Sequence, residues 1–211
     1  MKEEIVYVDV MLDVETLGIS DNAQVIQISA GEFRLDDVVT SLDDMETFDC
    51  ILDLSTLGDT LTVEQGTLAF WTANGDNANV LNRMLNNNNG ITEQIMVEKF
   101  HKWLSALVWS NAYDDLVIKS EIRLWGNGII FDNVKIENLF KKYGLQSPVK
   151  FYNHRDVRTI VELVADKLHT DVDTYRGQYA YGIEKHNAIH DVLYQARYVT
   201  HAYQDLMNNN L

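Results

Sequence analysis

Four carboxylates and one histidine in this chain have the types and settings that metal-assisted phosphodiester hydrolysis needs: Asp13, Glu15, Asp132, Asp191 and His186. Asp13 and Glu15 end the apolar run Ile5-Val6-Tyr7-Val8-Asp9-Val10-Met11-Leu12, which reads as a strand. Residues i and i+2 of a strand share a face, so the pair can hold one hard cation between them. Asp132 opens a helical segment after Trp125-Gly126-Asn127-Gly128, and His186 and Asp191 stand at the start of the last helix. Together they form the ligand supply of a two-metal phosphodiesterase, with a histidine left over as a base.

The elements that must position these residues follow from periodicity. Strands are expected at 5–13, 24–34, 47–54, 121–126 and near 149–152. Helices are expected at 62–73, 92–108, 132–143, 156–168 and 187–207. The acidic stretch from Asp36 to Asp44 reads as a solvated loop, 169–185 as irregular, and Asn208-Asn209-Asn210 as a frayed end. Strands come early and helices late, which suggests one α/β domain over 1–211, a mixed sheet covered by helices. His186 and Asp191 are five residues apart. At about 100° per residue they diverge by roughly 140° on one helix. If both serve one site, His186 must precede the helix and Asp191 must project from its first turn.

Composition narrows the partners. The formal net charge of −15 argues against gripping long nucleic acid by charge, which needs basic stripes. An enzyme acting on a chain end touches few phosphates, and bound divalent cations supply positive charge where it is needed. No apolar run is long enough to span a membrane, and Asp9 and Asp13 interrupt the N-terminal run, so no signal peptide is expected. The lone Cys50 reads as a buried thiol in a reducing compartment. The expectation is a cytoplasmic protein, in the host cytoplasm were the chain phage-encoded.

Bland readings compete at several positions. With 32 acidic residues, a D-x-E triplet means little alone, and Asp44-Met45-Glu46-Thr47 repeats the pattern Asp13-Val14-Glu15-Thr16. Asp44 follows no buried strand and reads as solvated surface. Asp132 taken alone reads as a helix N-cap. His186 and His190 form H-x-x-x-H, yet lack the glutamate a zinc protease needs after the first histidine.

Three stretches carry a resemblance: Asp13-Val14-Glu15-Thr16, Asn127-Gly128-Ile129-Ile130-Phe131-Asp132 and His186-Asn187-Ala188-Ile189-His190-Asp191. In order and spacing they resemble the motifs of the DEDDh, DnaQ-like 3′→5′ exonucleases of the ribonuclease-H-like superfamily. Thr67-Leu68-Ala69-Phe70-Trp71 and Arg155-Asp156-Val157-Arg158-Thr159 are similar to a subgroup that includes the T-even phage exonuclease A and related bacterial exoribonucleases. Val149 after Pro148 departs from that subgroup, where an aromatic residue is expected.

The resemblance implies a ribonuclease-H-like mixed sheet of five strands, one antiparallel, flanked by helices. It implies two cations, Mg²⁺ or Mn²⁺: one on Asp13, Glu15 and Asp191, the other bridged by Asp13 and supported by Asp132. His186 would take the proton of the attacking water, and the products would be 5′-mononucleotides. Thr16 and Leu17 would touch the terminal nucleotide, with turn packing the alternative for Leu17. Trp71 is a candidate base contact, open between stacking and core, while Phe70 reads as core. Asp156 and Arg158 are expected to pair, with a phosphate contact the alternative for Arg158. The leading expectation is a metal-dependent 3′→5′ exonuclease on single-stranded ends, DNA before RNA. An exoribonuclease trimming RNA or short oligonucleotides stays open, because sugar choice depends on contacts near the 2′ position. From another class, an acidic binding module on a nuclease fold also stays open. The oligomeric state is not fixed by the sequence.

Overall fold

β1 (Lys2–Thr16) is the spine of the molecule. It pairs in parallel with β5 (Leu116–Gly126), from Lys2 opposite Leu116 to Leu12 opposite Gly126. From Asp9 onward its other edge pairs antiparallel with β2 (Val25–Phe33), which pairs antiparallel with β3 (Glu46–Ile51). The far edge of β5 is shared. β4 (Ser110–Tyr113) lies antiparallel along its first half, and β6 (His154–Asp156) lies parallel at its end. The computed structural model describes residues 2–60, 63–73, 75–113 and 116–208. Among the described residues the sheet has six strands. Without β4 it is the expected five-stranded mixed sheet with β2 alone antiparallel.

The helices are α1 (Gln65–Thr72), α2 (Gly75–Leu85), α3 (Glu93–Ala106), α4 (Asp132–Lys142), α5 (Val157–Lys167), α6 (Val172–Gly177) and α7 (Ala188–Met207). They cover both faces of the sheet, and the parity of β1 decides which residues meet which layer. Val10, Leu12 and Val14 pack with Met96, Phe100 and Phe140 of α3 and α4. Met11 packs with Trp125 of β5 and with Val161, Val192 and Ala196 of the α5–α7 layer. Asp13 and Glu15 have the parity of Met11, so the strand aims them at α7. Asp9 has the same parity and is 4% exposed. Arg123 and the Trp125 indole N–H (2.7 Å) donate to it, which is how a carboxylate is kept inside a strand.

Several expectations shift. The strand expected near 149–152 forms further on, at His154–Asp156, because Phe151–Asn153 make a 3-10 turn and Val149 fills the core. The irregular stretch 169–185 contains α6, capped by Asp171 accepting from the Thr174 amide at 2.8 Å. α2, in Asn-rich sequence, and the short β4 are not among the expected elements. Residue 62, where the first helix was expected to begin, and Asn209 and Asn210 lie outside the described residues. Cys50 is buried and free. Among the described residues no helix is long and apolar enough to cross a membrane.

The repeated triplet separates as expected. Asp44 closes a 3-10 turn, its Oδ2 accepting from the Thr40 amide (2.8 Å), the Thr40 hydroxyl (2.7 Å) and the Ser41 amide (2.9 Å). Those donors, the Thr40 hydroxyl first, hold its carboxyl below the ordinary value. Asp44→Ala is therefore expected to leave turnover unchanged in a steady-state assay. A dead variant would assign the chemistry to the wrong triplet.

Candidate active site

The site forms where β1 outruns its neighbour. Pairing with β5 stops at Leu12, while pairing with β2 continues through Glu15 and slips register between Glu15 and Thr16. Such a bulge re-aims side chains at a sheet end. The Val14 amide, past the end of β5, faces the carboxylate of Asp132 and favours its charged form. Asp132 is the first residue of α4, 4% exposed. Phe131 holds the cap position, so the capping role expected of Asp132 does not form. Its carboxylate binds strand and helix start together at the carboxyl end of the sheet.

His186 precedes α7 and Asp191 lies in its first turn, as the angular argument required. The His186 backbone is left-handed (φ 61°), uncommon for a residue with a side chain. Its amide donates to Asp191 Oδ2 at 3.0 Å, so backbone and ligand fix each other. The imidazole stands edge-on to Phe70, ring centres 4.9 Å apart. One ligand atom each of Glu15, His186 and Asp191 falls within 4.8 Å of the others. His190 does not join them, because its Nδ1 accepts the Glu184 amide at 3.0 Å. One helical turn beyond Asp191, Gln195 donates to Asp13 Oδ1 at 2.7 Å, while its own Oε1 is buried without a partner. The sequence reading missed Gln195, although its i+4 spacing from Asp191 places it on the same helix face.

All four expected carboxylates and His186 line one cavity of about 300 Å³. Burial first, then the negative charges of Asp132, Asp191 and Glu15, raises the Asp13 carboxyl well above its ordinary range. Glu15 is raised for the same reasons. Burial pushes Asp132 and Asp191 up to about 7. Burial, then Lys185, lowers His186. A buried cluster of hard oxygen donors that repel one another is a site for divalent cations, and the donors fit that group. The sign for stability follows. Groups raised from 3.8 to about 7 contribute fully at low pH, and that contribution is lost as pH rises through about 7. The metal-free protein is expected to melt lower at pH 8 than at pH 6. A divalent cation at ~100 times its Kd adds about 2.7 kcal/mol, or roughly 5–10 °C for a chain of this size. Melting curves with EDTA and with added cation check both.

Beside this cavity, sharing Val14, Glu15 and Phe131 with it, lies an apolar cleft of about 470 Å³. Thr16, Ile19, Phe70 and Trp71 wall it. Phe70, expected in the core, is 43% exposed, and Trp71, open between stacking and core, is 1% exposed. The Trp71 indole donates to the Thr16 carbonyl at 3.2 Å, holding the turn after the carboxylate pair. Leu17 is 4% exposed in the core, so the packing alternative holds and Ile19, 78% exposed, takes its place on the cleft. Glu64 closes the turn, accepting from the Ile19 and Ser20 amides at 3.0 Å. A side chain at Gly18 would collide with the Glu64 carboxylate.

The expected Asp156–Arg158 pair does not form. Asp156 Oδ2 accepts from the Thr159 hydroxyl at 3.0 Å, a helix-start contact, and Arg158 extends toward Asn127 instead.

A strand-borne carboxylate pair, two helix-start carboxylates and a histidine thus meet in one cavity at the end of a mixed sheet flanked by helices. Residues 8–203 match the family described as 3′-5′ exoribonuclease Rv2179c-like domain, and the chain belongs to that family. Among solved structures it is similar to cell-death related nuclease 4 (CRN-4), with a TM-score of 0.57 over 92% of this chain at 17% identity. It is also similar to E. coli Exonuclease I in complex with a 5cy-dA13 oligonucleotide, with a TM-score of 0.51 over 93% of this chain at 14% identity. The chain spans 62% of the first and 39% of the second. The nuclease domain of 3′hExo, a DEDDh family member, bound to rAMP, gives 0.49 at 15% identity, covering 94% of this chain and 92% of that one. No curated protein sequence matches the chain.

Proposed function

We propose that this protein removes 5′-mononucleotides from the 3′ end of single-stranded nucleic acid, with RNA the first substrate. The observation that carries this reading is the meeting of Asp13, Glu15, Asp132 and Asp191 with His186 in one cavity. Asp13, Glu15 and Asp191 would hold one Mg²⁺ or Mn²⁺ ion, and Asp13 with Asp132 a second. Held there, such ions would supply positive charge to the phosphodiester oxygens on which negative charge develops. His186 is lowered by burial and is neutral at pH 7, so its ring can take the proton of the attacking water. Gln195 fixes the carboxylate of Asp13. Val14, Thr16 and Phe70 enclose the terminal nucleoside in the apolar cleft, where water is excluded on one side of the scissile bond.

The sequence reading put DNA first although no motif fixes the choice of sugar, while the family's description favours the exoribonuclease alternative. Initial rates on matched single-stranded RNA and DNA test the choice, and faster DNA turnover would restore the first order. The acidic binding module finds no support in a site that keeps all five residues. Phe70→Ala is expected to raise KM by about 5- to 150-fold, the factor that one base–aromatic stack supplies. Trp71→Ala is expected to lower stability instead, by about 3–5 kcal/mol, as for other buried aromatic truncations. Steady-state kinetics and denaturant melts separate the two.

A further inference from the structure

We propose that the cleft between α5 and α6 is an anion subsite for the phosphate one nucleotide upstream of the scissile bond. The proposal rests on the exonuclease reading and names the substrate class that reading leaves open: oligonucleotides carrying at least one phosphate beyond the one cleaved.

The cleft encloses about 300 Å³ and is walled by Arg158 and Arg176, with Asn127 and Glu162. Asn127 and Arg176 also wall the carboxylate cavity. The apolar cleft adjoins that same cavity through Val14, Glu15 and Phe131, and shares no residue with the arginine cleft. Three chambers therefore follow one another: apolar, carboxylate, cationic. A strand end has the same order of chemistry, with a terminal base, a scissile phosphate and then the next phosphate.

The two arginines are suited to that last place. Arg158 makes no ion pair among the described residues, and its one polar contact, Nε to Asn127 Oδ1, is long at 3.5 Å. Its guanidinium lies against Gly128 (φ 117°), where a Cβ would come within 3.2 Å of Cζ. The absence of a side chain at Gly128 thus lets an uncommitted guanidinium lie along the approach to the site. Arg176 pairs with Asp173 at 2.8 Å, but the Asp173 carboxyl is 90% exposed. Such a pair is worth little and exchanges readily for a phosphate that accepts two charged hydrogen bonds from the guanidinium fork. Glu162 on the outer wall is exposed to solvent. In a chain of net charge −15, two arginines walling one chamber beside the carboxylates give that chamber local attraction for an anion.

The test compares two dinucleotides, pApA and ApA, which differ only in the upstream phosphate. Initial rates are measured at saturating Mg²⁺ or Mn²⁺ for the wild-type protein, Arg158→Gln and Arg176→Gln, with melting temperatures confirming that each variant folds. The wild type is expected to favour pApA by at least about 10-fold in kcat/KM, the factor one charged hydrogen bond supplies. Each substitution is expected to bring the ratio toward one. Using the ratio cancels any effect of Arg158 on Asp132. Equal wild-type rates on both, or a ratio that survives both substitutions, would overturn the subsite and leave the exonuclease standing. Turnover of neither dinucleotide nor of longer strands would overturn the exonuclease reading. Calorimetry of pApA binding in Ca²⁺ then decides the subsite alone: affinity lost in Arg158→Gln supports it, and equal affinity ends it.

Discussion

Asp13→Asn is expected to cut turnover by at least about 10³-fold, while the metal-free protein melts at a higher temperature than wild type. The two effects have one cause. Asp13 lies where burial and the charges of Asp132, Asp191 and Glu15 all oppose its ionisation. An asparagine removes that repulsion, and its side-chain oxygen still accepts from Gln195 Nε2 as Asp13 Oδ1 does at 2.7 Å. What it removes is the negative charge that would bridge two cations. Kinetics at saturating cation and melting curves in EDTA at pH 8 measure both. Near-normal turnover would contradict the two-metal assignment, and a destabilised variant would make Asp13 a structural residue.

His186→Asn is expected to slow turnover by about 10²- to 10⁴-fold, the usual worth of a positioned base, while cation affinity is kept. Asparagine is chosen because residue 186 has φ 61°, a conformation asparagine tolerates and alanine does not. The amide bond from residue 186 to Asp191 at 3.0 Å does not depend on the side chain. Rates and calorimetric cation binding on the same preparation are needed. Unchanged rates would move the base elsewhere. Weakened cation binding would make His186 a ligand, a role its closeness to Glu15 and Asp191 allows.

The residues that make the site were legible because each sits at an element boundary that leaves a mark in sequence. Asp13 and Glu15 end an apolar strand, Asp132 follows a Gly-Asn-Gly turn, and Asp191 starts the longest helix. The same logic explains the failures. A helical period over 65–72 shows that Phe70 and Trp71 project differently, but not which of them meets the core. That depended on the Thr16 carbonyl, supplied by a strand 55 positions away. The Asp156–Arg158 pairing failed because Thr159, in the first turn of α5, offered a nearer hydroxyl. β4 has only Ser110–Tyr113 and borrows its order from the first half of β5. The arginine cleft needed α6, which lies in a stretch without apolar period.

The measurement closest to the central claim is a time course with 5′-labelled single-stranded RNA, with Mg²⁺, Mn²⁺ or EDTA, for wild type and Asp13→Asn. The account predicts a ladder that shortens from the 3′ end and releases 5′-mononucleotides, abolished by EDTA and by the substitution. Internal cleavage without a ladder, cation-independent degradation, or no degradation of RNA or matched DNA would contradict it.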